Sequence, residues 1–159
     1  MDDIDIKILE EYQKNSSIPL SELSKKVGLS NTPCWNRIKK MEEDKIILSK
    51  SILLDNKKIN LNVTVFLSIS ISDHSEKWLK NFEKVIHKHD EILEVHRVSG
   101  DKGDYQLTIL LPSIDNYDQF QQNLINEIEC RHMSTSFSLQ IIKKNHKLPL
   151  TYVNKTNVK

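Results

Sequence analysis

Between Ser30 and Lys40 the chain gathers hydroxyl, amide and ammonium groups at helical spacing. At about 100° per residue, Thr32, Asn36, Lys39 and Lys40 point away from a stripe made by Cys34, Ile38 and Met41. That stripe recurs at i, i+4, i+7, the pattern of a buried helix face. The outer face then offers the groups that nucleic acid requires. An asparagine pairs bidentately with an adenine edge, and a lysine reaches guanine or phosphate. Thr32, with the backbone amides around Ser30 and Asn31, suits phosphate, because a helix N-terminus leaves N–H groups unpaired. Trp35 and Arg37 lie on the flanks. Trp35 is expected to pack and to brush the nucleic-acid backbone. Arg37 is left with two readings, a salt bridge to Glu42 or another acid of the domain, or a phosphate contact. The candidate DNA-binding residues are therefore Ser30, Asn31, Thr32, Trp35, Asn36, Arg37, Lys39 and Lys40.

A second polar group lies in Ser99-Gly100-Asp101-Lys102-Gly103-Asp104-Tyr105. Glycines at 100 and 103 would let main-chain N–H groups approach a small carboxylate. Asp101 or Asp104 would meet an ammonium group. Those are the complementary contacts that a free amino acid needs. The same residues also make an ordinary hairpin, and spacing alone does not choose between the two. Elsewhere the residue types give no catalytic constellation. His87 and His89 are two apart on a helix end and diverge, a poor metal pair. Cys34 and Cys130 form no CxxC pair, so no disulfide framework, metal site or cofactor is expected. No glycine loop of the phosphate-cradling kind is present.

The elements that must hold these groups are legible from periodicity. Leu23 and Val27 share one helix face, Gly28 ends that helix, Ser30 caps the next, and Pro33 falls in its first turn. Asp2 or Asp3 caps a first helix reaching about Asn15, with Ile4, Ile8 and Tyr12 on one side. Three helices thus form a (winged) helix-turn-helix domain over 1–48, followed by an extended linker strand and turn over 49–61. Beyond it the period changes. Val63 to Ile71 alternate as a strand. Trp78, Phe82, Val85 and Ile86 give a helix, and Ile92–Val98 and Tyr105–Leu111 give strands. Tyr117, Phe120, Leu124 and Ile128 give a second helix, and Phe137, Leu139 and Ile141 a last strand. The order β-α-β-β-α-β is the ferredoxin-like pattern, expected over 62–150, with a flexible tail at 151–159. The fold class is α+β. Phe66, Leu110 and Ile142 occupy off-phase positions and would cover the sheet's second face, which calls for a partner such as a second copy.

Charge bounds the class of partner. The 159-residue chain has a formal net charge of +1, and residues 1–60 hold 11 basic and 10 acidic side chains. That balance does not suit a general nucleic-acid coat, which works by neutralising phosphates. It suits a paired reader with a local basic patch formed by Lys25, Lys26, Arg37, Lys39 and Lys40. No apolar run approaches the ~20 residues needed to cross a bilayer, and the acidic N-terminus is unlike a signal peptide. A cytoplasmic location, away from membranes, is expected.

The string Val27-Gly28-Leu29-Ser30, Thr32-Pro33-Cys34, Arg37-Ile38 and Met41-Glu42 resembles the DNA-binding segment of the leucine-responsive/asparagine-operon (Lrp/AsnC) regulators. The resemblance extends to Asp2-Asp3-Ile4-Asp5 with Lys7-Ile8-Leu9, and to Leu148-Pro149-Leu150, so it spans nearly the whole chain. It implies a one-component transcription regulator that binds double-stranded DNA and is not an enzyme. It also implies a homodimer, assembling further into tetramers, octamers or larger, and a small effector, an amino acid. In this family a Gly-Asp-x-Asp-Tyr-like hairpin contributes to effector pockets between dimers. The resemblance therefore makes Gly100, Asp101, Gly103 and Asp104 effector-binding candidates, with Ser134 and Ser136 from the region that lines the same interface. The loop here is one residue longer through Lys102-Gly103, which bears on the pocket's shape and use. Two alternatives share the architecture. One is a haem- or tetrapyrrole-binding decarboxylase, which would press His96 and Arg97 into service. The other is an amino-acid-binding regulatory subunit that does not touch DNA.

Overall fold

The computed structural model describes residues 1–100 and 103–154. The chain forms two compact units, one made of Met1–Leu53 with the segment from Lys143 onward, the other of Leu54–Ile142.

The first unit holds α1 (Asp3–Lys14), α2 (Leu20–Val27) and α3 (Asn31–Glu43). α1 starts on a reciprocal capping box. The Asp2 carboxylate accepts from the amides of Ile4 and Asp5, and the Asp5 carboxylate accepts from the Asp2 amide at 3.0 Å. Three N–H groups that the helix cannot pair internally are satisfied this way. α2 ends at Gly28 with φ 74°. There the Leu29 amide donates to the Ser24 carbonyl and the Gly28 amide to that of Lys25, a left-handed cap that glycine adopts without strain. Ser30 takes the N-cap position of α3, yet its hydroxyl makes no capping bond. The junction is held instead by Ser24, buried, whose hydroxyl donates to the Asn31 side-chain oxygen at 2.7 Å.

Ile8, Leu9, Ile18, Leu23, Val27, Cys34, Ile38 and Met41 form the core of this unit. Each large side chain buried there is worth roughly 1.5–3 kcal/mol against leaving it in water. Burial also raises the Cys34 thiol above its ordinary pKa, against the nearby Arg37 charge, so it behaves as a small apolar residue. Leu150 packs on the same cluster, next to a short 3-10 turn at Leu150–Tyr152. The Gln13 side-chain amide brackets the Leu148 backbone, donating to its carbonyl at 3.2 Å and accepting from its amide at 2.5 Å. Of the tail expected at 151–159, residues 155–159 lie outside the described residues.

The second unit is a four-stranded antiparallel sheet, β1 (Val63–Ser70), β2 (Ile92–Arg97), β3 (Tyr105–Leu111) and β4 (His132–Phe137), in the order β2-β3-β1-β4. α4 (Glu76–Ile86) and α5 (Ile114–Glu127) complete the β-α-β-β-α-β chain order. Val65, Leu67, Ile69, Tyr105, Leu107 and Ile109 pack with Trp78, Phe82, Tyr117, Phe120 and Leu124 in a single core. Both helices therefore cover one face. Thr64, Phe66, Ser68, Thr108, Leu110, Ser134 and Ser136 alternate with core positions and occupy the other.

Three expectations need correction. The last strand is His132–Phe137, so Leu139 and Ile141 lie beyond it. Ile142 consequently does not join Phe66 and Leu110 on the second face; it is 84% exposed, outside the ladder. No strand forms between α3 and β1. The segment expected to hold a linker strand runs unpaired to a turn closed by the Leu61 amide on the Asn56 carbonyl at 2.8 Å.

Candidate nucleic-acid interface and effector loop

The outer side of α3 is built by what the core withdraws. With Cys34, Ile38 and Met41 buried, Thr32, Trp35, Asn36, Lys39 and Lys40 are exposed. No acidic residue occupies the helix's first turn, so its N-terminal amides keep their attraction for anions. Lys39 donates to Glu42 at 3.0 Å and sits 5.8 Å from the centre of the Trp35 ring. Glu42 also pairs with Lys50 at 3.3 Å, and Lys39 and Lys50 together hold its carboxyl below its ordinary pKa. Lys26 is held by Glu11 and Glu22, each at 3.2 Å. Trp35 is 49% exposed and, against the packing role expected of it, takes no place in the core of the unit.

Arg37 resolves to the intradomain reading, with different acids from the one named. Its Nη1 donates to Asp2 Oδ2 at 2.6 Å and to Asp5 Oδ1 at 2.7 Å, while Glu42 is occupied by lysines. The capping box of α1 thereby doubles as the anchor of α3. Burial alone would raise the Asp2 carboxyl; the Asp5 amide, Arg37's hydrogen bond and charge, and the Ile4 amide outweigh it and hold it below its ordinary pKa. Bonds to Asp5 and then Asp2 raise the guanidinium's pKa further. The Asp-x-x-Asp spacing at 2 and 5 was visible in the chain; its second role was not, because the partner is 32 residues away. Asn31, too, has a partner within the unit: its exposed side chain accepts from the Ser24 hydroxyl.

The loop between β2 and β3 is pinned to the end of β1. The Asp104 amide donates to the Ile69 carbonyl at 2.8 Å, its carboxylate accepts from the Ile71 amide at 2.8 Å, and its carbonyl accepts from the Val98 amide at 2.9 Å. Gly103, at φ 140°, passes so close to β1 that a Cβ there would lie 2.9 Å from the Ile69 carbonyl oxygen. Asp104 and Gly103 are thus first of all the fastening of the hairpin, the ordinary reading that their residue types also allowed. Gly100 stands exposed in open space, and Asp101 lies outside the described residues. β4 begins at the same end of β1, with Met133 opposite Ile69. Ser134 and Ser136 face away from the helices, opposite Ser68 and Phe66.

His96 and Arg97 do not converge. His96 pairs across the ladder with Gln106 and Arg97 with Tyr105, so the two side chains leave opposite faces of an edge strand. Among the described residues no group of three His, Cys, Asp or Glu side chains could hold a metal ion. No helix among them is long and apolar enough to cross a membrane.

A helix-turn-helix with a basic, amide-bearing outer helix, joined in one chain to a half-covered antiparallel sheet, defines a DNA-binding regulator with a separate sensing domain. Comparison with known proteins agrees. Residues 1–47 match a winged helix-turn-helix DNA-binding family, and residues 64–148 match the Lrp/AsnC ligand binding domain. The glutamate uptake regulatory protein of Zymomonas mobilis is 39% identical over 150 residues, covering 94% of this chain and 91% of that one. The DNA-binding transcriptional activator DecR of Escherichia coli is 34% identical, covering 94% and 99%. An AsnC family transcriptional regulator from Agrobacterium tumefaciens superposes with a TM-score of 0.92 at 46% identity, covering 97% of this chain and 100% of that one. A transcriptional regulator of Neisseria meningitidis, solved as a complex with L-Met, does so at 0.89 and 30% identity, covering 95% and 97%. The chain belongs to the Lrp/AsnC family of transcriptional regulators.

Proposed function

We propose that the chain reads double-stranded DNA as a homodimer in the cytoplasm, and that an amino acid modulates this reading without being chemically changed. Thr32, Asn36, Lys39 and Lys40 are the contacting residues, with phosphate at the Ser30 end of α3. Two copies would place α3 in successive major grooves, about 34–36 Å apart. The observation that carries the reading is the exposed outer face of α3 with no acid in its first turn. An amino-acid effector is supported by the Neisseria relative's complex with L-Met and by the loop of Gly100, Gly103 and Asp104 at the end of β1. The sheet's uncovered face, bearing Phe66 and Leu110, is the surface on which a second copy would pack, and higher assemblies such as an octamer would build from that dimer. Effector binding would then act on the assembly and through it on DNA occupancy.

Lys39→Ala with Lys40→Ala tests the reading. The double variant should bind DNA more weakly and flatten the slope of log K against log salt by up to about 3.6 per dimer, at ~0.9 per phosphate contact, with its oligomer size unchanged. Unaltered affinity and slope would remove α3 from the interface.

A further inference from the structure

The chain's two tryptophans are treated differently by the fold. Trp78 is 7% exposed, and its indole donates to the Glu129 carbonyl at 2.6 Å. Trp35 is 49% exposed, takes no place in the core of its unit, and has the Lys39 ammonium 5.8 Å from its ring centre. Thr32, Trp35, Asn36 and Lys39 stand at i, i+3, i+4 and i+7, a continuous stripe. Wherever Asn36 is carried, the indole is carried beside it.

We propose that Trp35 determines sequence preference by laying its indole against the C5-methyl group of a thymine next to the base read by Asn36. The assignment rests on the DNA-reading function above. Thymine's methyl is the apolar group that base edges show in the major groove, and apolar side chains recognise it by contact. A large ring left in water by the free protein gains the most from such a contact. Lys39 lies over the ring and would be carried with it to the adjoining phosphate. A ring lying along the sugar-phosphate edge would instead carry no base preference.

The test uses the full chain and duplexes it selects from a random library, with each thymine replaced in turn by deoxyuridine, which lacks only the methyl. Losing one methyl contact corresponds to about a fourfold loss of affinity, and to about fifteenfold when both half-sites are changed. Trp35→Ala should bind the thymine duplex more weakly and be indifferent to the replacement at that position. Trp35→Phe should keep the sensitivity. A position-by-position loss that is the same in Trp35→Ala as in the unmodified chain overturns the assignment, as does the absence of any sensitive position. Because Trp35 lies outside the core, unchanged helix content and oligomer size are expected, and Trp35→Phe supplies the comparison if they change. Failure of the chain to select any duplex would instead refute the DNA-reading function, and this assignment with it.

Discussion

Replacing Arg37 by glutamine should loosen the DNA-binding unit and leave its attraction for phosphate unchanged. The guanidinium joins α3 to the start of α1 through two short contacts from one nitrogen, to Asp2 and Asp5. The arginine side chain is 32% exposed and the two carboxylates 24% and 16%, so the contacts are neither fully screened nor dry. Shielded hydrogen bonds to charged groups contribute about 1.5–3 kcal/mol each, while exposed ion pairs contribute about 0.2–1 kcal/mol. For a shared, half-shielded donor the sum is about 2 kcal/mol. With a urea slope of about 1–3 kcal/mol per molar, the unfolding midpoint of this unit should fall by roughly 1 M. Trp35 fluorescence in a Trp78→Phe background would report the transition, because each unit carries one tryptophan.

Equilibrium DNA binding across a salt series supplies the second arm. If Arg37 neutralised a phosphate, a dimer lacking both copies would lose about 1.8 from its salt slope. With the guanidinium occupied by Asp2 and Asp5, the slope should not move under conditions where the unit stays folded. A slope reduced by about 1.8 with an unchanged urea midpoint would refute the reasoning and return Arg37 to the DNA contact.

Asp2 adds a pH dependence of definite sign. Its folded pKa is lowered, so its contribution is fully present above the ordinary carboxylate value of about 3.9 and is lost as pH falls through the folded value. Asp2→Asn, which still caps a helix, should therefore show a shallower loss of stability than the unmodified chain below about pH 4 in acid titrations of Trp35 fluorescence. Gly103→Ala should destabilise the sensing unit by about 1–3 kcal/mol, the cost of a strained backbone at a crowded site, read as a lower urea midpoint for Trp78; an unchanged midpoint would mean the loop does not approach Ile69. Asp104→Asn keeps an acceptor for the Ile71 amide and removes the charge. It should leave the sensing unit's stability within about 0.5 kcal/mol while abolishing any amino-acid-induced change in DNA binding, measured by anisotropy. A full response in that variant would place the ammonium partner elsewhere.

What the sequence could show followed the range of its signals. The helix-turn-helix was legible because Cys34, Ile38, Met41, Gly28 and Pro33 act within one or two turns. β1 and β3 were legible because both alternate strongly against a buried helix layer. β4 was not, because it is an edge strand whose outward positions are serines and a histidine; only Met133 and Phe137 mark its inward face, and the stronger alternation of Leu139 and Ile141 lies past the last ladder partner. Arg37 was undecided for a related reason. Its partners sit on another helix, and Glu42, nearer in sequence, is drawn to Lys39 and Lys50. The same holds for Gln13 and Leu148, which meet across 135 residues. At the loop, residue types suitable for an effector are also the types that fasten a hairpin. Only the bond from the Ile71 amide and the approach to Ile69 expose the second role.

These local pairings alter what the basic cluster means. Of the five cations near α3, Arg37 is held by two aspartates, Lys26 by two glutamates and Lys39 by one. Lys25 and Lys40 are the two with no acidic partner among the described residues. Within this cluster a single copy therefore offers phosphate few cations that are not already paired, and the cluster's share of non-specific affinity, which depends on that charge, is correspondingly small. Doubling the copy number doubles the free cations and the base-reading residues together, at no new contact within the protomer. Occupancy of DNA then depends steeply on how many copies are joined and at what spacing. A sensing domain that acts on assembly would act on the variable to which this weakly charged reader responds most.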